Sequence, residues 1–304
     1  MRPILKADSL VKKYGNVQAV DDISFEIFRG EIFGFLGPNG AGKTTTIKMM
    51  SGLLKPDSGH VTIDSRDSRG SIGICPQHIV VWENLTCLEQ IVYVGRMYNM
   101  SSDDAIKRGN VLLESLGLYG IKDRLAKNLS GGMQRRLNIA LALIHSPEIV
   151  FLDEPQAGLD PQSRVLVRDY IRSIKNETTV VLTTHDMEEA EKLSDRICII
   201  DKGKLLVTGT ADEIIRTGGH EDLVEIYFTG DVKKELFPFP DSELLSGLIF
   251  SGNRISFNTK NPLPSLENIL KVVREHNINV NSLQLRKKSL EDIFISLTGR
   301  SIRE

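Results

Sequence analysis

Gly37-Pro38-Asn39-Gly40-Ala41-Gly42-Lys43-Thr44 fits the pattern G-x-x-x-x-G-K-[ST]. Glycines at these positions let backbone N–H groups turn toward a polyphosphate. The Lys43 ammonium offsets β- and γ-phosphate charge, and the Thr44 hydroxyl is an oxygen ligand for Mg2+. A second chemistry-bearing stretch is Ile149-Val150-Phe151-Leu152-Asp153-Glu154-Pro155, an apolar run that ends in two carboxylates. Ligands of open parallel sheets collect at the carboxyl ends of strands. Asp153 is placed there to hold Mg2+ through water, and Glu154, beside a γ-phosphate, to act as general base for water. The bland alternative is a turn that merely closes a strand. The phosphate loop alone does not separate ATPases, GTPases and small-molecule kinases.

A third element is Leu129-Ser130-Gly131-Gly132-Met133-Gln134-Arg135-Arg136, ahead of an apolar helical run, Leu137–Ile144. Ser130 is a helix cap candidate, and the two glycines allow an anion close to the backbone. The chain thus carries two phosphate-seeking helix starts in different subdomains, and one nucleotide need not touch both from a single chain. A head-to-tail homodimer resolves this, with each nucleotide between the Lys43 loop of one copy and the Ser130 loop of the other.

These residues need a scaffold of alternating strands and helices. Glu31–Leu36, Ile149–Leu152 and Val180–Thr183 read as strands buried on both faces. Ile23–Ile27 alternates apolar and polar and reads as half-buried strand, Ile197–Asp201 before Gly203 starts a hairpin, and Thr45–Met50 starts a helix after the phosphate loop. Residues 84–129 have a helical texture, with helices expected over Leu88–Asn99 and Asp103–Leu116, the second capped from Ser101-Ser102. After Thr210 the texture changes again. Val224–Phe228 is a strand candidate, and Leu248–Phe250 and Ile255–Phe257 flank a turn. Phe237–Asp241 reads as loop. Leu266, Ile269, Leu270 and Val273 form a helical face behind Ser265 as cap. A last helix starts at Ser289, with Asp292 three residues on and Gly299 to end it. The pattern implies an α/β fold with a mainly parallel sheet and a helical insertion, and its phosphate loop resembles that of P-loop NTPases, a resemblance that implies a RecA-like core with an antiparallel β subdomain. The expected domains are 1–215, including a helical subdomain at about 84–140, and a small α+β domain at 216–304.

The chain has 304 residues, and its 38 basic and 40 acidic side chains leave a formal charge of −2. That balance argues against a basic nucleic-acid glove, so no nucleic-acid partner is expected. The longest apolar runs fall well short of the roughly 18 residues that span a bilayer. The N-terminus lacks a signal-peptide run, so export of the chain is not expected. Cys75, Cys87 and Cys198 lie far apart in sequence and read as inert thiols in a reducing compartment.

Taken together, the motifs resemble those of the nucleotide-binding subunit of ATP-binding-cassette (ABC) transporters over about residues 4–215. The resemblance implies an ATPase that uses ATP and Mg2+. Within it, Tyr14 corresponds to the aromatic platform for adenine, and Gly37, Pro38, Asn39, Gly40, Ala41, Gly42, Lys43 and Thr44, followed by Thr45, to the phosphate loop. Gln77 matches the glutamine that senses Mg2+ and the lytic water, with Thr44 and Asp153 as the other metal-site residues. Ser130, Gly131 and Gly132 resemble the signature that reaches across the dimer, and Asp160 the D-loop residue at that interface. Glu154 matches the catalytic glutamate and His185 the histidine that contacts the γ-phosphate. Met133 and Gln156 depart from the family pattern, which more often has glutamine and a small residue there.

Ser289–Gly299 resembles the closing motif of ABC-2-type, daunorubicin-resistance-like exporter ATPases. The resemblance therefore implies integral membrane permease partners, with docking near Gln77 and Trp82–Leu88. It also implies a peripheral position on the cytoplasmic face of the membrane. A soluble ABC ATPase of translation or DNA repair, a small-molecule kinase, and a purely regulatory tail domain are the alternatives. The first usually carries paired cassettes, coiled coils or zinc motifs, and the kinase leaves Leu129–Gly132 without a role.

Overall fold

The computed structural model describes residues 2–65, 71–217, 222–232, 236–237 and 246–299. It divides into two compact units, one ending at Ala211 and the second starting at Asp212. In the first, β3 (Ile32–Leu36), β5 (Ile72–Cys75), β6 (Ile149–Asp153), β7 (Thr179–Thr184), β8 (Arg196–Asp201) and β9 (Lys204–Gly209) form a six-stranded sheet. Its order is β5-β6-β7-β3-β8-β9. All pairings are parallel except the β8–β9 hairpin. This is the mainly parallel sheet that the apolar runs require.

Because side chains alternate along a strand, each central strand feeds two cores. Val150, Leu152, Val180 and Leu182 pack on one face with Leu137, Ile139 and Ile144 and with Ile91, Leu112 and Leu113. The last three come from the insertion helices α2 (Cys87–Met97) and α3 (Ser102–Ser115), whereas Leu137, Ile139 and Ile144 lie in or just after α4 (Gly131–Leu143). Phe33, Phe35, Ile149, Phe151 and Val181 face the other way, against α1 (Lys43–Met50) and a three-stranded antiparallel sheet. That sheet has the order β2-β1-β4, from β1 (Pro3–Tyr14), β2 (Val17–Phe28) and β4 (Ser58–Ile63). Phe25 closes the seam, its ring 5.1 Å from Phe35 and 5.9 Å from Phe33.

The sequence reading passed over β1. Its pairing with β2 shifts register between Ala7 and Leu10, and Ser9 sits at φ 49°. Such a bulge breaks the period-2 alternation that marks a strand. The insertion helices lie within a residue or two of their expected ends. Ser101 caps α3, and Thr86 with Glu89 forms a capping box on α2.

The second unit has a four-stranded sheet of order β11-β12-β10-β13, from β10 (Asp222–Phe228), β11 (Ser246–Ser251), β12 (Arg254–Thr259) and β13 (Val280–Lys287). Val224, Ile226, Phe228, Ile255 and Phe257 pack on Ile269 and Val273 of α8 (Pro262–Glu275). Ser265 does not cap α8, contrary to the sequence expectation. Pro262 and Pro264 need no N–H partner in a first turn, so the helix starts four residues earlier, at Pro262 with Asn261 as its N-cap residue. Ser265 is instead buried, its hydroxyl sharing a 2.7 Å hydrogen bond with Thr259. Phe237 is buried in this core, while the rest of the expected 237–241 loop lies outside the described residues. The last helix, α9 (Leu290–Thr298), has the expected Ser289–Asp292 capping box and ends on Gly299 in the left-handed region.

Burial pushes the Asp292 carboxyl up, but hydrogen bonds from Arg286 (2.5 and 3.0 Å) and Ser289 more than offset it and leave the group below its ordinary 3.8. A carboxyl with a lowered folded pKa adds stability above its unfolded pKa, and that stability is lost as the pH falls through the folded value. Asp292→Asn should therefore destabilise the chain at neutral pH, with the penalty shrinking below about pH 4. Denaturant melts of both proteins across that range check this, and an equal penalty at neutral pH and in strong acid would contradict the pairing.

Candidate active site

The phosphate loop begins where β3 ends. Chain geometry there demands glycine at two positions. A Cβ on Gly37 would lie 2.2 Å from the Ile200 carbonyl oxygen, and one on Gly42 would lie 2.4 Å from that of Ala19. Gly42 also sits at φ 105° as the N-cap of α1 and offers no side-chain hydrogen bond to the first turn. The helix therefore starts at Lys43, two residues before the expected Thr45, and the N–H groups at its start are left for a ligand.

Lys43 is 6% exposed. Its ammonium donates to the Gly37 carbonyl at 2.7 Å and the Pro38 carbonyl at 3.0 Å, and lies 3.9 Å from Glu154 Oε1. Burial pushes its pKa down from the ordinary 10.5, while the charges of Glu154 and Asp153 pull it back up.

Asp153 ends β6, and Glu154 follows at φ 50°, a left-handed conformation uncommon outside glycine, asparagine and aspartate. Both are nearly buried. Thr183, on β7, holds the pair together. Its hydroxyl donates to Asp153 Oδ1 at 2.5 Å and accepts the Glu154 N–H at 2.9 Å. The Glu154 carboxylate also meets His185 Nδ1 at 2.9 Å, and with Glu154 ionised that ring nitrogen carries the proton. His185 is otherwise half exposed.

An open cleft of about 460 Å³ gathers Tyr14, Asn39, Gly40, Ala41, Gly42, Lys43, Thr44, Thr45, Gln77 and Glu154. Tyr14 is exposed at the end of β1, and Ala19 lines the same wall. Gly37 and Pro38 hold the Lys43 ammonium from behind. Ser130, Gly131 and Gly132 are not among the residues lining the cleft. Ser130 caps α4, its hydroxyl accepting the Met133 N–H at 3.3 Å. Space around Gly131 is open, and a Cβ on Gly132 would only touch Leu159. Met133 packs against the apolar core beneath α4, a contact suited to its thioether side chain. Asp160 is exposed and caps α5 (Pro161–Ser173), accepting the Ser163 N–H at 3.0 Å. The Gln156 Oε1 is buried without a hydrogen-bond partner among the described residues.

Two residues that sequence reading left out are Thr183 and Arg135. The first was only the end of an apolar run. The second is a buried cation on α4 whose four acceptors come from distant segments. Two adjacent arginines, Arg135 and Arg136, just ahead of eight apolar-rich helical positions were the one hint in the sequence. The three cysteines are buried, and burial pushes the Cys75 thiol up to about 11, which makes it a poor nucleophile.

Thr44, Gln77 and Asp153 offer a hydroxyl, an amide and a carboxylate. This all-oxygen set suits Mg2+, which keeps several waters and leans on substrate phosphates. Among the described residues no cluster of three or more His, Cys, Asp or Glu side chains forms a metal cage, and a phosphate-bridged ion needs none.

The ABC transporter family model matches residues 20–157. The linearmycin resistance ATP-binding protein LnrL of Bacillus subtilis is 37% identical, covering 99% of this chain and 100% of that protein. The daunorubicin/doxorubicin resistance ATP-binding protein DrrA of Streptomyces peucetius is 35% identical over 97% and 92%. A Nod factor export ATP-binding protein I from Ralstonia nicotianae is 36% identical over 99% and 96%. Among solved structures, an ATP-binding subunit of an ABC transporter superposes with a TM-score of 0.66 at 28% identity, over 71% of this chain and 93% of that one. An ATP-binding cassette in its ADP conformation gives 0.62 at 25% identity, over 70% and 93%.

Gly42→Ala must place a Cβ against the Ala19 carbonyl at a positive φ. It should cost about 1–3 kcal/mol in urea unfolding. Unchanged stability would show that the loop does not hold this conformation in solution.

Proposed function

The chain belongs to the ABC transporter family as an ATP-binding, ATP-hydrolysing exporter subunit, and we propose how its residues carry that work. Lys43 and the N–H groups at the start of α1 bind the β- and γ-phosphates, and Tyr14 stacks on adenine. Glu154 takes a proton from the water that attacks the γ-phosphorus. His185 orients the Glu154 carboxylate and reaches toward the same phosphate. Thr44, Gln77 and, through water, Asp153 would hold Mg2+, which when bound would neutralise phosphate charge.

The observation that carries the reading is the separation inside one chain. The cleft with Lys43 and Glu154 lacks the Ser130 loop, although both helix starts are built for anions. Two copies arranged head to tail supply the missing half, so that each nucleotide lies between the Lys43 loop of one and Ser130, Gly131 and Gly132 of the other. Asp160, exposed beside that face, crosses the contact. Loss of the γ-phosphate removes contacts made by both chains, and such a differential contact is what shifts a two-state equilibrium.

Among the described residues no helix is long and apolar enough to cross a membrane. The likeness to exporter ATP-binding subunits supports the reading that the work passes to integral membrane permease subunits, which place this subunit at the inner face of the membrane. An apolar patch after Gln77 suits that docking. Trp82 stacks edge-on against Tyr93 at 5.5 Å, and both are exposed together with Ile79 and Val80. Exposed aromatic groups of this kind favour a protein partner. The exported compound is chosen by the permease. The names of the relatives, which concern drug resistance and Nod factor export, support export as the direction of transport.

Glu154→Gln should bind ATP with near-normal affinity and lose at least about a hundredfold in steady-state hydrolysis. Turnover at the normal rate would remove Glu154 as the base. Lys43→Ala should weaken ATP binding about tenfold or more in equilibrium titration, since it deletes the cation at the phosphates. Unchanged affinity would remove the loop assignment.

A further inference from the structure

Arg135 lies in the stretch that follows Ser130, Gly131 and Gly132 and has been given no role so far, yet its guanidinium is a buried cation beside the cleft that donates four hydrogen bonds. The residue is 2% exposed. Its Nη1 donates to the carbonyls of Pro76, at 2.7 Å, and Gln77, at 2.8 Å. Its Nη2 donates to the carbonyl of Asp153, at 2.7 Å, and to that of Glu154. A guanidinium carries two hydrogens on each terminal nitrogen. All four are therefore used, two on the segment that bears Gln77 and two on the turn that bears the general base. The Nε is left without a partner among the described residues.

A buried charge is tolerated only where close partners offset its lost hydration, and breaking such a set is costly. Simple core filling does not account for this choice, because an apolar side chain would fill the space without that desolvation. What the fork adds is geometry. The Cα sits on α4, the helix that Ser130 caps, while the two nitrogens grip two separate segments of the cleft. The grip on Glu154 is complementary to that of Thr183. Arg135 holds the carbonyl of Glu154, and Thr183 holds its N–H. A residue at φ 50° gains no help from intrinsic backbone preference, so surrounding bonds must fix it.

We propose that Arg135 is a positioning residue for hydrolysis. It sets the Glu154 turn and the Gln77 carbonyl in one frame with the signature helix, so that a nucleotide contact at Ser130 and the placement of the base move together. This inference rests on Glu154 as the base, as proposed above.

The test uses full-length protein and compares wild type, Arg135→Lys, Glu154→Gln and the double variant. Lysine keeps the charge and the stem but has one nitrogen, so it cannot hold two pairs of carbonyls. Arg135→Lys should lower kcat for ATP about ten- to hundredfold, the scale of an ångström-sized misplacement, with KM and equilibrium ATP binding changed less than about threefold. In the Glu154→Gln background the same substitution should lower the residual rate less than about twofold, since no base remains to be misplaced. Arg135→Met, which keeps length and loses every donor, should lie beyond lysine in kcat and again spare binding.

A normal kcat in Arg135→Lys would overturn the proposal. So would an equal fold-loss with and without Glu154, or a loss of ATP binding in proportion to turnover, the mark of a residue needed only for folding. Full turnover in Glu154→Gln alone would instead indict the assignment of the base, a result separate from any of these.

Discussion

Lys43 and Glu154 face each other across 3.9 Å with both side chains almost wholly buried. Removing either ion from water costs several kcal/mol, and only close partners and fixed dipoles offset that. The rest of the first unit meets this requirement. β3 and β6 are buried along their whole length and end at the same level of the sheet, which brings the loop and the acids together. The Gly37 and Pro38 carbonyls hold the ammonium, and Thr183, His185 and Arg135 hold the acidic turn. Such a pair is poor ground for stability and good ground for phosphoryl chemistry, where preorganised charge acts without reorganisation.

The surrounding architecture follows from two-sided burial. A parallel sheet exposes apolar side chains on both faces. The antiparallel sheet and α1 cover one face and the insertion helices the other. The phosphate loop and the acidic turn belong to the sheet. The signature helix start belongs to the layer above it, displaced from the cleft. Separation of the Lys43 loop from the Ser130 loop is thus a property of the layering, and it supports the proposed pairing with a second copy.

Much of this was legible in the sequence where the signal is local. The buried runs, the loop after β3, the Ser130 cap and the Ser289–Asp292 box each depend on residues a few positions apart. Failures came where the cause is distant or irregular. β1 was hidden by its bulge, and Ser265 was displaced as a cap by two prolines in the first turn. Thr183 and Arg135 act only through residues 18 to 59 positions away, and no periodicity announces such partners. The tail motif marked the exporter group through resemblance, and the full-length exporter relatives agree with it.

Light scattering on the purified Glu154→Gln chain, with and without saturating Mg·ATP, addresses most directly whether one nucleotide is clasped by two copies. Two chains per particle with nucleotide, and one after it is removed, is the outcome expected. A particle that stays a single chain at saturation would contradict the shared-nucleotide arrangement.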